Sequence, residues 1–409
     1  MGTLNNIMDW IFVNKEWVFS GIGVAIVSIV IGIITTKRKK AHQIQQTQTA
    51  SDNANQIQAS SIQTVNINGI NEKRAREIYD EKFEIAAKSL SHEAKTIAEG
   101  RIASFEDKLM GRMANIEDSL SAFSDPGFQM LLIEAQKAAA STEREPDYDL
   151  LTELMIHRFK RGENRTVRAG IERAVEVVDK ISDEALLGLT VLHAVGTFTP
   201  TSGKIYDGLN ILENLFSKLI YGELPSGTEW LDHLDVLDAV RISNIGTMKT
   251  IEQYYPESLD GYVVTGIKKD SEEHRQAIAI LKDAGFQDGM LVDHQLLEGY
   301  VRLSIVNLKS IDNMKLLQII QPSSIRWDDI TENQKSALKK VYELYSTDAE
   351  EKSRILQIFM DEWNKRAGLN KLREWWDSNT SQSIQITSVG RVLAHSNAQR
   401  CDNSLPSLD

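Results

Sequence analysis

The sequence predicts a mainly α-helical protein with one N-terminal transmembrane helix, a long helical stalk and a C-terminal helical body carrying a minor β element. Three observations predict it. Twenty consecutive residues near the N-terminus carry no charge, and apolar residues recur at steps of three and four over much of the remaining chain. Only 7 prolines interrupt the 409 residues. Proline removes a backbone donor and breaks helix interiors, so its scarcity suits helices joined by short loops.

The uncharged stretch is Trp17–Thr36, WVFSGIGVAIVSIVIGIITT. At 1.5 Å per residue it spans ~30 Å, the thickness of a bilayer's hydrocarbon core. A buried core helix would keep a polar face, and this segment has none. A cleaved signal peptide would carry its positive charge first. Here Lys37, Arg38, Lys39 and Lys40 come after the span, whereas Lys15 precedes it beside Asp9 and Glu16. Positive charge flanking a span stays in the cytoplasm, so residues 1–16 are expected outside and the remainder inside. Gly21, Ala25, Ser28 and Gly32 share one face of the span, and small residues along a seam let two helices pack closely in lipid. The expected partners are therefore the lipid bilayer and further copies of the chain.

Residues 37–70 read as a basic stop followed by a polar tether. From Ala41 to Gly69 the only formal charge is Asp52, and Gln, Asn, Ser and Thr dominate. Low apolar content favours a flexible link, although Thr64–Asn68 alternates with the period of a strand. Residues 71–123 form the stalk. Tyr79, Phe83, Ala86, Leu90, Ala94 and Ile97, then Ile102, Phe105, Leu109, Met113, Ile116, Leu120 and Phe123, form an apolar stripe. A continuous helix of this length would reach ~75 Å. It is expected either to pair with other copies as a coiled coil or to fold back as a hairpin, with Gly100 and Gly111 as candidate breaks.

The body spans 124–395 and a polar tail 396–409. Ser124-Asp125-Pro126 supplies a cap and a first-turn proline for a helix over 128–141. Helices are expected over 148–161, 166–181, 183–195, 209–221 and 230–254. Two more open with capping boxes, Thr331 with Gln334 and Thr347 with Glu350. Strands are expected at Tyr262–Thr265, Ser383–Thr387 and Val389–Ala394. The helix Ala277–Phe286 and the ending Ile386–Leu393 resemble parts of a winged-helix fold.

Taken together, Glu16–Lys40, the tether Gln56–Asn68, the junction Asp125-Pro126-Gly127-Phe128-Gln129 to Ala138 and the tail Ile386–Arg400 resemble a group of uncharacterised bacterial proteins. These have one span, a Gln/Asn/Ile-rich tether and a helical cytoplasmic body. The resemblance implies a bacterial inner-membrane location and a role in phage defence, and it carries no functional residue.

The residues themselves show little chemistry. Gly196–Lys204, GTFTPTSGK, approaches a phosphate loop, but Phe198 stands where the first glycine belongs and Ile205 where Ser or Thr must follow the lysine. The 8 histidines include no zinc-protease pair, and His233 and His294 with their neighbouring aspartates read as solvated polar groups rather than ligands. Cys401 is the sole cysteine, which excludes an intramolecular disulfide and suits a reducing compartment. With 58 acidic against 46 basic residues the chain carries −12, so nucleic acid is a poor partner. No catalytic residue, metal site or cofactor is expected. The expected function is a membrane-anchored, oligomerising cytoplasmic sensor or effector. The alternative is a tethered adaptor for an unknown protein partner, in which the span only anchors.

Overall fold

The computed structural model describes residues 70–408 apart from 88–90, 163, 244, 287–288, 322–323 and 380–381. The described chain is mainly helical, and it divides into two compact units that meet in sequence at 179/180. The expected body of 124–395 is thus cut, because 124–179 joins the preceding helices. Among the described residues no helix is long and apolar enough to cross a membrane. Trp17–Thr36, the seam residues and Lys37–Lys40 lie outside the described residues.

The first unit contains α1 (Glu72–Ala87), α2 (His92–Met113), a 3-10 turn at Ser119–Ser124, α3 (Pro126–Ser141), α4 (Glu145–Arg161) and α5 (Arg165–Val177). Of the two arrangements expected for the stalk, the folded-back hairpin is the one seen, as two helices. Arg76 meets Glu106 at 2.7 Å, the Tyr79 hydroxyl donates to the Ile102 carbonyl at 2.8 Å, and Glu84 meets Lys95 at 3.8 Å. The residue number falls on one side as it rises on the other, so α1 and α2 run antiparallel. Neither Gly100 nor Gly111 breaks the chain. Ser91 starts α2 instead, its hydroxyl accepting from the Ala94 N–H. The apolar stripe explains the folding back. Tyr79, Ile102, Phe105, Leu109 and Met113 are almost wholly buried, whereas Ile97, which breaks the heptad spacing, is 58% exposed. Gln136 of α3 donates to the Tyr79 carbonyl. The junction forms as its residues dictate: Asp125 caps α3 through the N–H groups of Gly127 and Phe128, with Pro126 in the first turn. Arg158 of α4 holds the same carboxylate at 2.9 Å.

The second unit contains α6 (Asp183–Thr197), α7 (Ile205–Leu219), α8 (Glu229–Val236), β1 (Val240–Ser243), α9 (Ile251–Ser258) and α10 (Asp260–Val263). Next come β2 (Ile267–Lys268), α11 (Glu272–Asp283), β3 (Leu291–Asp293), β4 (Tyr300–Leu303), β5 (Lys315–Gln321) and β6 (Ser324–Asp329). α12 (Glu332–Glu343), α13 (Ala349–Asn364), α14 (Ala367–Ser378), β7 (Ser383–Ile386) and α15 (Ser388–Cys401) complete it. The sheets are small and antiparallel, with strand orders β1-β7, β2-β4-β3 and β5-β6.

Several expectations give way here. The helix expected over 230–254 ends at Val236. Asp238 takes a left-handed φ of 61°, and β1 then pairs with β7, Val240 opposite Ile386. Tyr262–Val263 is the end of a helical turn rather than a strand. Val389–Ala394 is helix, because the Thr387 hydroxyl caps the Gly390 N–H. Gly390 is required there: a Cβ would lie 1.9 Å from the Ala239 carbonyl oxygen of the chain entering β1. The winged-helix pairing is not made, since Ala277, Leu281 and Phe286 belong to a core with β4 and α12 that excludes 389–394. The box at Thr331 forms, but α13 is capped one residue later than expected, by Asp348 on the Glu351 N–H. The tail is anchored through Asp402 on Lys218 at 2.8 Å and through Leu405, 3% exposed.

Candidate functional site

Within the second unit the C-terminal end of α6, the loop after it, the 3-10 turn Leu308–Asn313, the start of β5, β7, one side of α15 and Pro406–Leu408 enclose an open cleft of about 1210 Å³. Its position is set by the fold. α6 and α15 pack together along the buried faces that carry His193 and His395, and β7 leads into α15 through the Thr387 cap. The loop 198–204 is tied to β4 by Arg302. This wholly buried guanidinium donates through Nη1 to the carbonyls of Gly261, Leu303 and Ile305 at 2.8, 2.9 and 3.2 Å, and through Nη2 to the carbonyl of Gly203. Among the described residues no carboxylate pairs with it, and backbone carbonyls take its protons. Gly203 must be glycine, because a Cβ would lie 2.1 Å from the Ser304 carbonyl oxygen.

Among the described residues the charged groups lining the cleft are Lys309, Lys315 and Arg391, with no Asp or Glu. Lys315 is tied to Asp329 at 3.5 Å. Lys309 and Arg391 are exposed and have no ion-pair partner among the described residues. In a chain carrying −12, a cleft whose described lining charges are all cationic favours an anion. Apolar groups from Phe198, Met290, Leu316 and Trp327 complete the walls, the mixture expected of a site for a small organic molecule.

Behind the cations lies a hydrogen-bonded chain. His193 Nε2 and His395 Nδ1 are 3.1 Å apart, His395 Nε2 is 2.8 Å from the Pro406 carbonyl, and His193 Nδ1 is 3.3 Å from the Thr197 hydroxyl. A carbonyl only accepts, so His395 carries its proton on Nε2 and accepts on Nδ1. His193 then donates from Nε2 and accepts from Thr197. Burial, followed by the neighbouring His395 and Arg391, holds His193 down to about 3. So weak a base does not take the Thr197 proton at neutral pH, and the chain of bonds positions side chains rather than activating a nucleophile. Among the described residues no group of three His, Cys, Asp or Glu is placed to hold a metal ion. His294 is structural: it lies 2.7 Å from the Val264 carbonyl and accepts from the N–H groups of Leu296 and Leu297. His233 accepts from the Ser182 N–H at 3.2 Å.

These imidazoles set a pH dependence. His193 at about 3 and His294 at about 4 both lie below the ordinary 6.5, chiefly through burial. The unfolded chain takes up both protons as pH falls below 6.5, and the folded chain does not until far lower. Stability from this source is complete above 6.5 and is lost as pH falls from 6.5 toward 3 to 4. Each group contributes a slope of about 1.4 kcal/mol per pH unit inside that window. Urea unfolding at pH 7.5, 6 and 5 should show it, and His193→Gln should remove one proton's worth of slope. An unchanged slope would contradict the neutral assignment.

None of the residues singled out from the sequence as sites lies in this cleft. Gly21, Ala25, Ser28, Gly32 and Lys37–Lys40 fall outside the described residues. The rejected phosphate loop does contribute, since Gly196–Thr201 lines one wall. Lys309, Lys315, Arg391 and the His193–His395 pair carry no motif that marks them in the sequence. The two histidines are 202 residues apart, and no local spacing signals their meeting.

The fold and the cleft define a mainly helical protein with an open cleft in its second unit. Residues 69–406 match a family described as ":-like", and the chain belongs to that family. The match takes in both units and leaves the candidate span outside it. No curated protein and no solved structure matches the chain.

Proposed function

We propose that this protein is a membrane-anchored, self-associating sensor whose cytoplasmic second unit takes an organic anion in the cleft and whose span responds. The observation that carries the reading is the cleft bearing Lys309, Lys315 and Arg391 with no lining carboxylate among the described residues. Anchoring rests on the uncharged Trp17–Thr36 and the cations after it, and self-association on the Gly21, Ala25, Ser28, Gly32 seam. A role in bacterial defence rests on the resemblance in layout alone.

A sensor needs both ends. Gly21→Leu with Gly32→Leu keeps the span hydrophobic while holding helices apart, and Arg391→Glu spoils the cleft. With overexpression and a membrane-potential dye as readout, either change should abolish the effect on cells while amount and membrane location persist. Full effect from a well-inserted Gly21→Leu/Gly32→Leu protein would sink the effector reading and leave a tethered adaptor.

A further inference from the structure

The cleft is too large for an inorganic anion alone, and its aromatic and cationic groups are arranged together. Lys315 pairs with Asp329 across the β5-β6 ladder. Trp327 is two residues from Asp329 on β6, so it projects from the same face as that pair. The ladder irregularity lies farther out, between Ile319 and Gln321. Lys315 and Trp327 are therefore diagonal neighbours, about 7–8 Å apart. One hairpin root thus presents an indole and an ammonium side by side, with Lys309 and Arg391 on other walls of the cleft.

The ligand these features fit has a flat ring to stack on an indole and more than one negative charge. We infer that the cleft binds a nucleoside polyphosphate, the ring against Trp327 and the phosphates among Lys309, Lys315 and Arg391. The inference rests on the reading of the cleft as an anion site and gives that anion a class.

Calorimetric titration of the full chain in phosphatidylcholine nanodiscs tests it, with ATP, GTP, adenosine and pyrophosphate as probes. ATP or GTP should bind at least about tenfold more tightly than pyrophosphate, and adenosine should bind weakly, since stacking and phosphate contacts both contribute. Trp327→Ala should remove the nucleotide advantage and leave pyrophosphate binding unchanged, while Trp327→Phe should keep most of it. Nucleotides binding no better than pyrophosphate, or an advantage that survives Trp327→Ala, would overturn the nucleotide assignment and leave the anion site standing. Absence of binding by all four probes would sink both.

Discussion

Replacing Arg302 with leucine is expected to destabilise the second unit by ~3–5 kcal/mol. The side chain is wholly buried, and its guanidinium satisfies carbonyls from three separate stretches: Gly203 in the loop after α6, Gly261 in α10, and Leu303 and Ile305 at and beyond β4. Leucine fills part of the volume but donates nothing. Each carbonyl left unsatisfied costs about 1–3 kcal/mol, less whatever water and small shifts restore. The guanidinium also lies over the Tyr262 ring, 5.6 Å from its centroid, and that contact goes as well. Arg302→Lys should rescue only in part, because one ammonium cannot reach carbonyls fanned around a planar fork. Hydrogen exchange should report the loss first at residues 198–204 and 261–263. A urea midpoint equivalent to within ~0.5 kcal/mol of the parent would contradict the assignment of Arg302 as the pin of the cleft wall.

The second large effect concerns binding. Lys309→Glu together with Arg391→Glu is expected to weaken polyanion binding by at least about 100-fold at moderate salt. The change replaces two attractions with two repulsions. At an effective dielectric near 20 each charge at contact distance is worth up to about 4 kcal/mol before screening, so the estimate is conservative. The fold should be nearly unaffected, since both side chains are exposed and neither has an ion-pair partner among the described residues. Arg391 also helps hold His193 neutral, so its reversal should let that imidazole titrate at a higher pH than in the parent. Calorimetry and a histidine NMR titration check the two halves. Unchanged binding in a folded double variant would show that the anion sits elsewhere.

Legibility in the sequence depended on how local the cause was. Asp125-Pro126 and the Thr331–Gln334 box lie within one turn of the backbone groups they satisfy, and both form as read. The apolar stripe of 72–123 was legible, but the choice between a second copy and a hairpin was not. Periodicity shows that a face must be covered, and it is Gln136 and the helices of the first unit that cover it. The errors at 230–254 and 389–394 share a cause. A left-handed aspartate and a threonine cap override the apolar pattern on either side of the β1-β7 pair. The cleft was illegible because its cations come from a 3-10 turn, a strand and a helix that only the tertiary fold assembles. The Gly196–Lys204 stretch fails its motif, yet it lies beside them.

Whether the cleft is an anion site can be read from lysine labelling of the full chain. The chain is treated with an amine-reactive ester in the presence and absence of millimolar pyrophosphate, and labelling is read by peptide mass spectrometry. Lys309 and Lys315, which line the cleft, should be selectively protected, with Lys160 and Lys282, exposed elsewhere, labelled equally in both conditions. Equal labelling of Lys309 and Lys315 with and without the anion, or protection spread evenly over all four lysines, would contradict an anion site in this cleft.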